Sequence, residues 1–116
     1  MKLIEMVESG RYVEAIEEFY TDDATMQENL GVPRRGRDML IAHERAVLSN
    51  VKQVRALPGS TFTVEDDRVV IHWRFDIEGK DGRTRHLDEL AHQRWSGDRI
   101  AEERFYYDPG ASAPSA

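Results

Sequence analysis

Apolar residues recur at helical spacing in the first part of the chain and at alternate positions in the second. Leu3, Ile4 and Val7 predict a helix over residues 1–9, ended by Ser9-Gly10. Tyr12, Val13, Ile16, Phe19 and Tyr20 predict a second helix over 11–20. Tyr20-Thr21-Asp22-Asp23 reads as a turn and residues 24–28 as a short strand. Residues 29–37 hold Gly31, Pro33 and Gly36 and read as a loop. Asp38 is placed as the N-cap of a third helix over 39–50, with Leu40 and Val47 on its apolar side. From there the period shortens to two. Strands are expected at 54–57, 61–65, 68–78, 83–95 and 99–107, with Asp81-Gly82 marking a tight hairpin. Helices followed by an antiparallel meander define an α+β domain over 1–109. Residues 110–116 are small and polar and are expected to be a disordered tail.

Composition narrows the class. With 116 residues and 40% hydrophobic residues, the chain is one globular domain by size and can bury about two-thirds of its unfolded surface. It contains no cysteine, which excludes disulfides, thiolate metal sites and a thiol nucleophile. The formal charge of −6 disfavours a nucleic-acid partner. Its one basic cluster, Arg34-Arg35-Gly36-Arg37, runs straight into Asp38 and reads as a solvated loop. No apolar run is long enough to cross a membrane, and the first six residues are too short and acidic for a signal peptide. A cytoplasmic protein is the expectation.

Three segments carry a family resemblance. The run from Tyr20 to Gly31 (YTDDATMQENLG) resembles the first helix-to-strand passage of the NTF2-like superfamily. Gly36 to His43 (GRDMLIAH) is similar to the start of its third helix, and Trp95 to Pro109 (WSGDRIAEERFYYDP) to the closing hairpin of its SnoaL-like, polyketide cyclase-like branch. The resemblance implies a cone: three N-terminal helices on a strongly curved, mostly antiparallel sheet, with an apolar cavity between them. It implies a small, largely apolar organic ligand, no cofactor, and a homodimer through the outer sheet face. Members include ketosteroid isomerases, polyketide cyclases, epoxide hydrolases, dehydratases and non-catalytic binding modules. Isomerase, cyclase or lyase chemistry by acid and base is therefore one implied outcome, and a ligand-binding or dimerisation module is the other.

Candidate residues follow from the resemblance and from chemistry. Glu28 matches the position of the isomerase base, and a carboxyl in an apolar pocket suits that task because burial favours its protonated form. Leu3 and Ala91 occupy the places of the isomerase's tyrosine and protonated acid, so isomerase activity itself is not expected. Arg74-Phe75-Asp76 matches the epoxide-hydrolase pattern, but Phe105 stands where its partner aspartate should be. As plain surface residues, Arg74 and Asp76 are read as an ion pair worth little. His43 lies on the inward stripe of its helix, either as a satisfied core residue or as an acid/base partner. Glu89 and Glu103 fall on the face that the isomerase comparison turns to the cavity, where they can share a proton. Met26, Trp73, Phe75, Phe105 and Tyr107 are expected as ligand-contacting wall. A two-residue hairpin loop sets Arg74 opposite Glu89, and an odd loop sets Trp73 there; apolar burial favours Trp73 and Phe75 inside. His86 and His92 lie about 20 Å apart along one strand, too far to share an ion, and no metal site is proposed.

Overall fold

The structure, a computed structural model, describes residues 1–110. The expected tail beyond Gly110 lies outside the described residues. Three helices, α1 (Lys2–Glu8), α2 (Tyr12–Phe19) and α3 (Arg37–Ser49), pack on a seven-stranded sheet. The strands are β1 (Tyr20–Glu28), β2 (Arg34–Arg35), β3 (Val51–Ala56), β4 (Thr61–Glu65), β5 (Arg68–Gly79), β6 (Thr84–Ser96) and β7 (Arg99–Tyr106). Their order is β2-β1-β7-β6-β5-β3, with β4 paired to β5 beside β3. Among the described residues β1 and β7 run parallel, and every other pairing is antiparallel. The sheet curls into a half-barrel that holds the helices in its concavity, the α+β cone expected from the sequence pattern and the resemblance.

Burial follows the two periods. Leu3, Ile4, Met6 and Val7 bury one side of α1, and Ala15 and Ile16 that of α2. Ile71, Trp73, Ala91 and Ile100 supply the sheet's contribution to the same core. Leu40 of α3 is 1% exposed and fills the space above them.

Four local expectations are corrected. Residues 20–23 are not a turn: β1 starts at Tyr20, and the Thr21–Asp23 side-chain hydrogen bond falls where β1 shifts register against β7. Turn-forming side chains are tolerated there because the irregularity leaves them facing water. Asp38 is not the N-cap. Gly36 is, with φ of 97°, a left-handed value that glycine adopts without strain, and Asp38 sits inside the first turn. The loop contains the short strand β2, paired to β1. Finally, β3 begins at Val51, directly after α3, because the far end of the long β5 offers it a partner in Gly79.

The β5–β6 hairpin decides which residues line the cavity. Gly79 N–H donates to the Arg83 carbonyl at 2.8 Å, leaving a three-residue loop, Lys80-Asp81-Gly82. Gly82 takes φ of 81°, the left-handed residue that such loops require. The odd length puts Trp73, not Arg74, opposite Glu89. Trp73 and Phe75 therefore face inward and Arg74 outward. The Arg74–Asp76 ion pair does not form: Arg74 donates to the Pro58 carbonyl at 2.7 Å, while Asp76 pairs with Arg55 and His86.

Replacing Leu40 by alanine should cost about 2–5 kcal/mol in urea denaturation, the range for a buried leucine. Leu30, 87% exposed, should lose less than about 0.5 kcal/mol on the same change.

Candidate functional site

Between helices and sheet lies a cavity of about 210 Å3. That is somewhat larger than the ~150 Å3 that holds a benzene ring. Met26, Trp73, Phe75, Phe105, His43, Glu28, Glu89 and Glu103 all line it, so the structure brings together eight of the nine expected residues. The ninth, Tyr107, stands at the rim, where its hydroxyl donates to Glu28 Oε1 at 3.3 Å. The aromatic wall is tilted and edge-packed: Trp73 and Phe75 have ring centroids 6.0 Å apart, and Tyr12 meets Phe75 edge-on at 6.3 Å.

Glu28 is not a buried carboxyl. Its side chain is 46% exposed, and Arg34 Nη1 donates to its Oε2 at 3.3 Å. Asn29 fixes this rim. It adopts φ of 49°, its N–H donates to the Phe105 carbonyl, and its side-chain oxygen accepts from Tyr107 N–H. Arg104 Nε adds a bond to the Asn29 carbonyl at 2.8 Å. The end of β1 is thereby clamped to the end of β7, which holds Glu28 and Tyr107 together. The basic cluster is consumed locally, Arg34 by Glu28, Arg37 by Asp22, and Arg35 by the Asp23 carbonyl.

Glu103, by contrast, is 3% exposed and fully engaged. The Tyr20 hydroxyl donates to its Oε1, and Gln93 Nε2 donates to its Oε2 at 2.6 Å. Trp95 Nε1 in turn donates to Gln93 Oε1 at 3.0 Å. Burial pushes the Glu103 carboxyl up to about 7 even though both hydrogen bonds pull it down. Burial, together with the Glu103 charge, raises the Tyr20 hydroxyl well above its ordinary value. Glu103 and Glu89 are not hydrogen-bonded to each other, so no shared proton joins them.

Glu89 is the unusual group. It is 8% exposed, faces the cavity, and its side chain makes no hydrogen bond or ion pair among the described residues. Burial raises its carboxyl to about 8, and the charges of Glu103, Glu28 and Glu44 add to the effect. At neutral pH it holds a proton and can donate it. His43 lines the cavity without a hydrogen-bond partner among the described residues. Glu44, beside it, is not among the residues expected from sequence; burial raises its carboxyl too, with the Glu28 charge second. Its spacing is a usable signal, since Glu44 lies four residues after Leu40 and three before Val47. Tyr20 and Gln93 give no such signal, because their partner is distant in sequence.

The opposite sheet face carries His72 on Asp88 and His86 on Asp76, each at 2.6 Å. Among the described residues no cluster of histidines and carboxylates has metal-binding geometry.

Three helices on a strongly curled mixed sheet form an α+β cone of the NTF2-like fold. Residues 2–103 match the SnoaL-like domain family, and the chain belongs to it. Similar solved structures agree. A candidate SnoaL-like polyketide cyclase from Mesorhizobium loti is 23% identical with a TM-score of 0.75, covering 91% of this chain and 93% of that one. Another from Jannaschia sp. CCS1 is 15% identical with a TM-score of 0.80, covering 98% and 92%. An NTF2-like protein of unknown function from Burkholderia pseudomallei K96243 is 18% identical with a TM-score of 0.77, covering 91% and 85%. No curated protein matches the chain. No helix among the described residues is long and apolar enough to cross a membrane.

The two raised carboxyls make stability fall with pH. Folded Glu89 and Glu103 keep protons that the unfolded chain releases at about pH 4.3. Their contribution is therefore complete below that value and is lost as pH rises through about 7 and about 8. Each group weakens the fold progressively in between. Asp76, Glu8 and Glu102, all lowered by hydrogen bonds, act in the opposite sense and weaken the fold as pH drops below their unfolded values. Urea midpoints should peak at about pH 5 and decline toward about pH 8. Glu89→Gln should flatten that decline and exceed the parent in stability at the alkaline end.

Proposed function

We propose that the protein binds a small, largely apolar organic molecule in the cone's cavity and that Glu89 acts on it as the acid. The observation carrying this reading is a nearly buried, unpartnered carboxyl facing an open space walled by Trp73, Phe75, Phe105 and Met26. Its carboxyl oxygens open onto the cavity without a protein partner, and a ligand's polar atom would supply one. The size of the space favours one ring over a fused-ring system. Glu28, at the mouth and tied to Arg34 and Tyr107, would be the base toward the part of the ligand nearest solvent. Two carboxyls in unlike surroundings suit an isomerase, cyclase or lyase step in which one proton is given and another removed. Glu103, saturated by Tyr20 and Gln93, is assigned to holding the site rather than to chemistry.

A second reading, a dimerisation module, draws on the outer sheet face. There Leu90 and Tyr106 are directly paired and both exposed. A homodimer across β6 and β7 would cover them. Sedimentation should then report twice the 13.4 kDa chain mass, and Leu90→Lys should return it to one.

For the ligand site, a single-ring fragment set should be screened by amide chemical shifts. Binders should move the signals of Trp73, Glu89 and Phe105 together. Filling the space from the wall by Met26→Trp should weaken them at least about tenfold. Binders that map only to the outer face would overturn the assignment.

A further inference from the structure

The charge balance of the cavity narrows its ligand further, resting on the reading of this space as a small-molecule site. Among the described residues four glutamates line it, Glu28, Glu44, Glu89 and Glu103, against one guanidinium, Arg34, which is bound to Glu28 at the rim. His43 on α3 is the remaining titratable lining group that can be cationic. An anionic ligand would enter a field of its own sign. A neutral ligand would hydrogen-bond the protonated Glu89 carboxyl but would gain nothing from the surrounding negative field. A cation would satisfy Glu89 and meet the negative faces of Trp73, Phe75 and Phe105, which attract ammonium groups. The acidic cluster alone would not indicate this. What distinguishes the site is the state of Glu89, more than nine-tenths buried, turned into the cavity and without a hydrogen-bond partner among the described residues.

We propose that the cavity takes a small single-ring amine, held as its ammonium ion between the Glu89 carboxylate and the wall formed by Trp73, Phe75 and Phe105. The free protein holds one proton on the Glu89 carboxyl at neutral pH. The free base takes the Glu89 proton, which leaves carboxylate and ammonium as an ion pair; counted from the ammonium in solution, one proton passes to solvent. Glu103 from β7, Glu44 from α3 and Glu28 from β1 face Glu89 with like charge and favour its protonated form, and thus set the pH at which an amine replaces the proton. Arg34 on β2 is occupied by Glu28 and does not oppose the exchange.

Calorimetric titration of the full chain with benzylamine, benzyl alcohol and benzoate at pH 6.5 and pH 8.5 tests this. Benzylamine should bind at least about tenfold tighter than benzyl alcohol at pH 8.5, and benzoate more weakly than either. That preference should shrink by about tenfold per pH unit below the Glu89 midpoint. Titration at pH 6.5 in two buffers of different ionisation heat should count about one proton released. Glu89→Gln, checked for folding by circular dichroism, should bring the benzylamine to benzyl alcohol ratio close to one. Glu102→Gln, on the outer face, should leave the ratio intact. Benzyl alcohol or benzoate binding as tightly as benzylamine, with no proton released, would overturn the amine assignment and leave the cavity as a neutral-ligand site. Binding of none of the three would overturn both readings.

Discussion

A buried carboxyl at Glu103 is the constraint around which the cone is arranged. A group 3% exposed must find hydrogen-bond donors within the protein, and here they come from two other strands. Tyr20 reaches it from the point where α2 becomes β1, and Gln93 from β6, itself steadied by Trp95. Those contacts cross the parallel β1–β7 seam and the β6–β7 hairpin at once. They also bear on the helices, because Tyr20 ends α2. With its carbonyl it further accepts bonds from Arg37 and Arg99, each at 3.1 Å. One residue thus joins a helix end, a sheet seam and the entry to α3. A half-satisfied network of this kind would be worse than an apolar core, so its completeness matters more than any single bond.

The same residue type behaves in three ways along one wall. Glu103 is buried and saturated, Glu89 buried and unpaired, and Glu28 exposed and paired. Depth alone would make Glu89 and Glu103 alike; partners separate them. Strand pairing sets Trp73 opposite Glu89, Ala91 follows two residues along the same face, and neither donates a hydrogen bond to its carboxyl. What remains in front of its carboxyl is the cavity. At the rim, Asn29 supplies the opposite solution, a backbone clamp that keeps a carboxylate, a guanidinium and a phenol within reach of one another.

Much of this is legible in the amino-acid sequence. Alternation over 68–106 is strong because the long strands there have one face on the core, and helical spacing in α1 and α2 is strong for the same reason. Where the pattern misleads, local chemistry is overruled from afar. Thr21-Asp22-Asp23 has turn composition, yet the residues on either side of it, Tyr20 and Thr25, both pair with β7. The segment around Glu28 fits a motif, but a motif does not show that Arg34 and Tyr107 will converge on its carboxylate. Glu89 and Glu103 are legible as cavity-facing carboxyls. Their different states are not, since that difference lies in Tyr20 and Gln93, on other strands.

The hairpin between β5 and β6 also has a bearing on how such a site changes over generations. Its three-residue loop sets the parity of the whole strand pair. Gain or loss of a single codon there would shift β6 against β5 by one place, and alternate residues would trade sides. Asp88 and Leu90 would then turn inward while Glu89 moved to the outer surface. A cone of this kind can therefore exchange its acid and its wall in one heritable step, without altering any of the residues that form them. Loop length, more than point substitution, is the short route from one cavity chemistry to another.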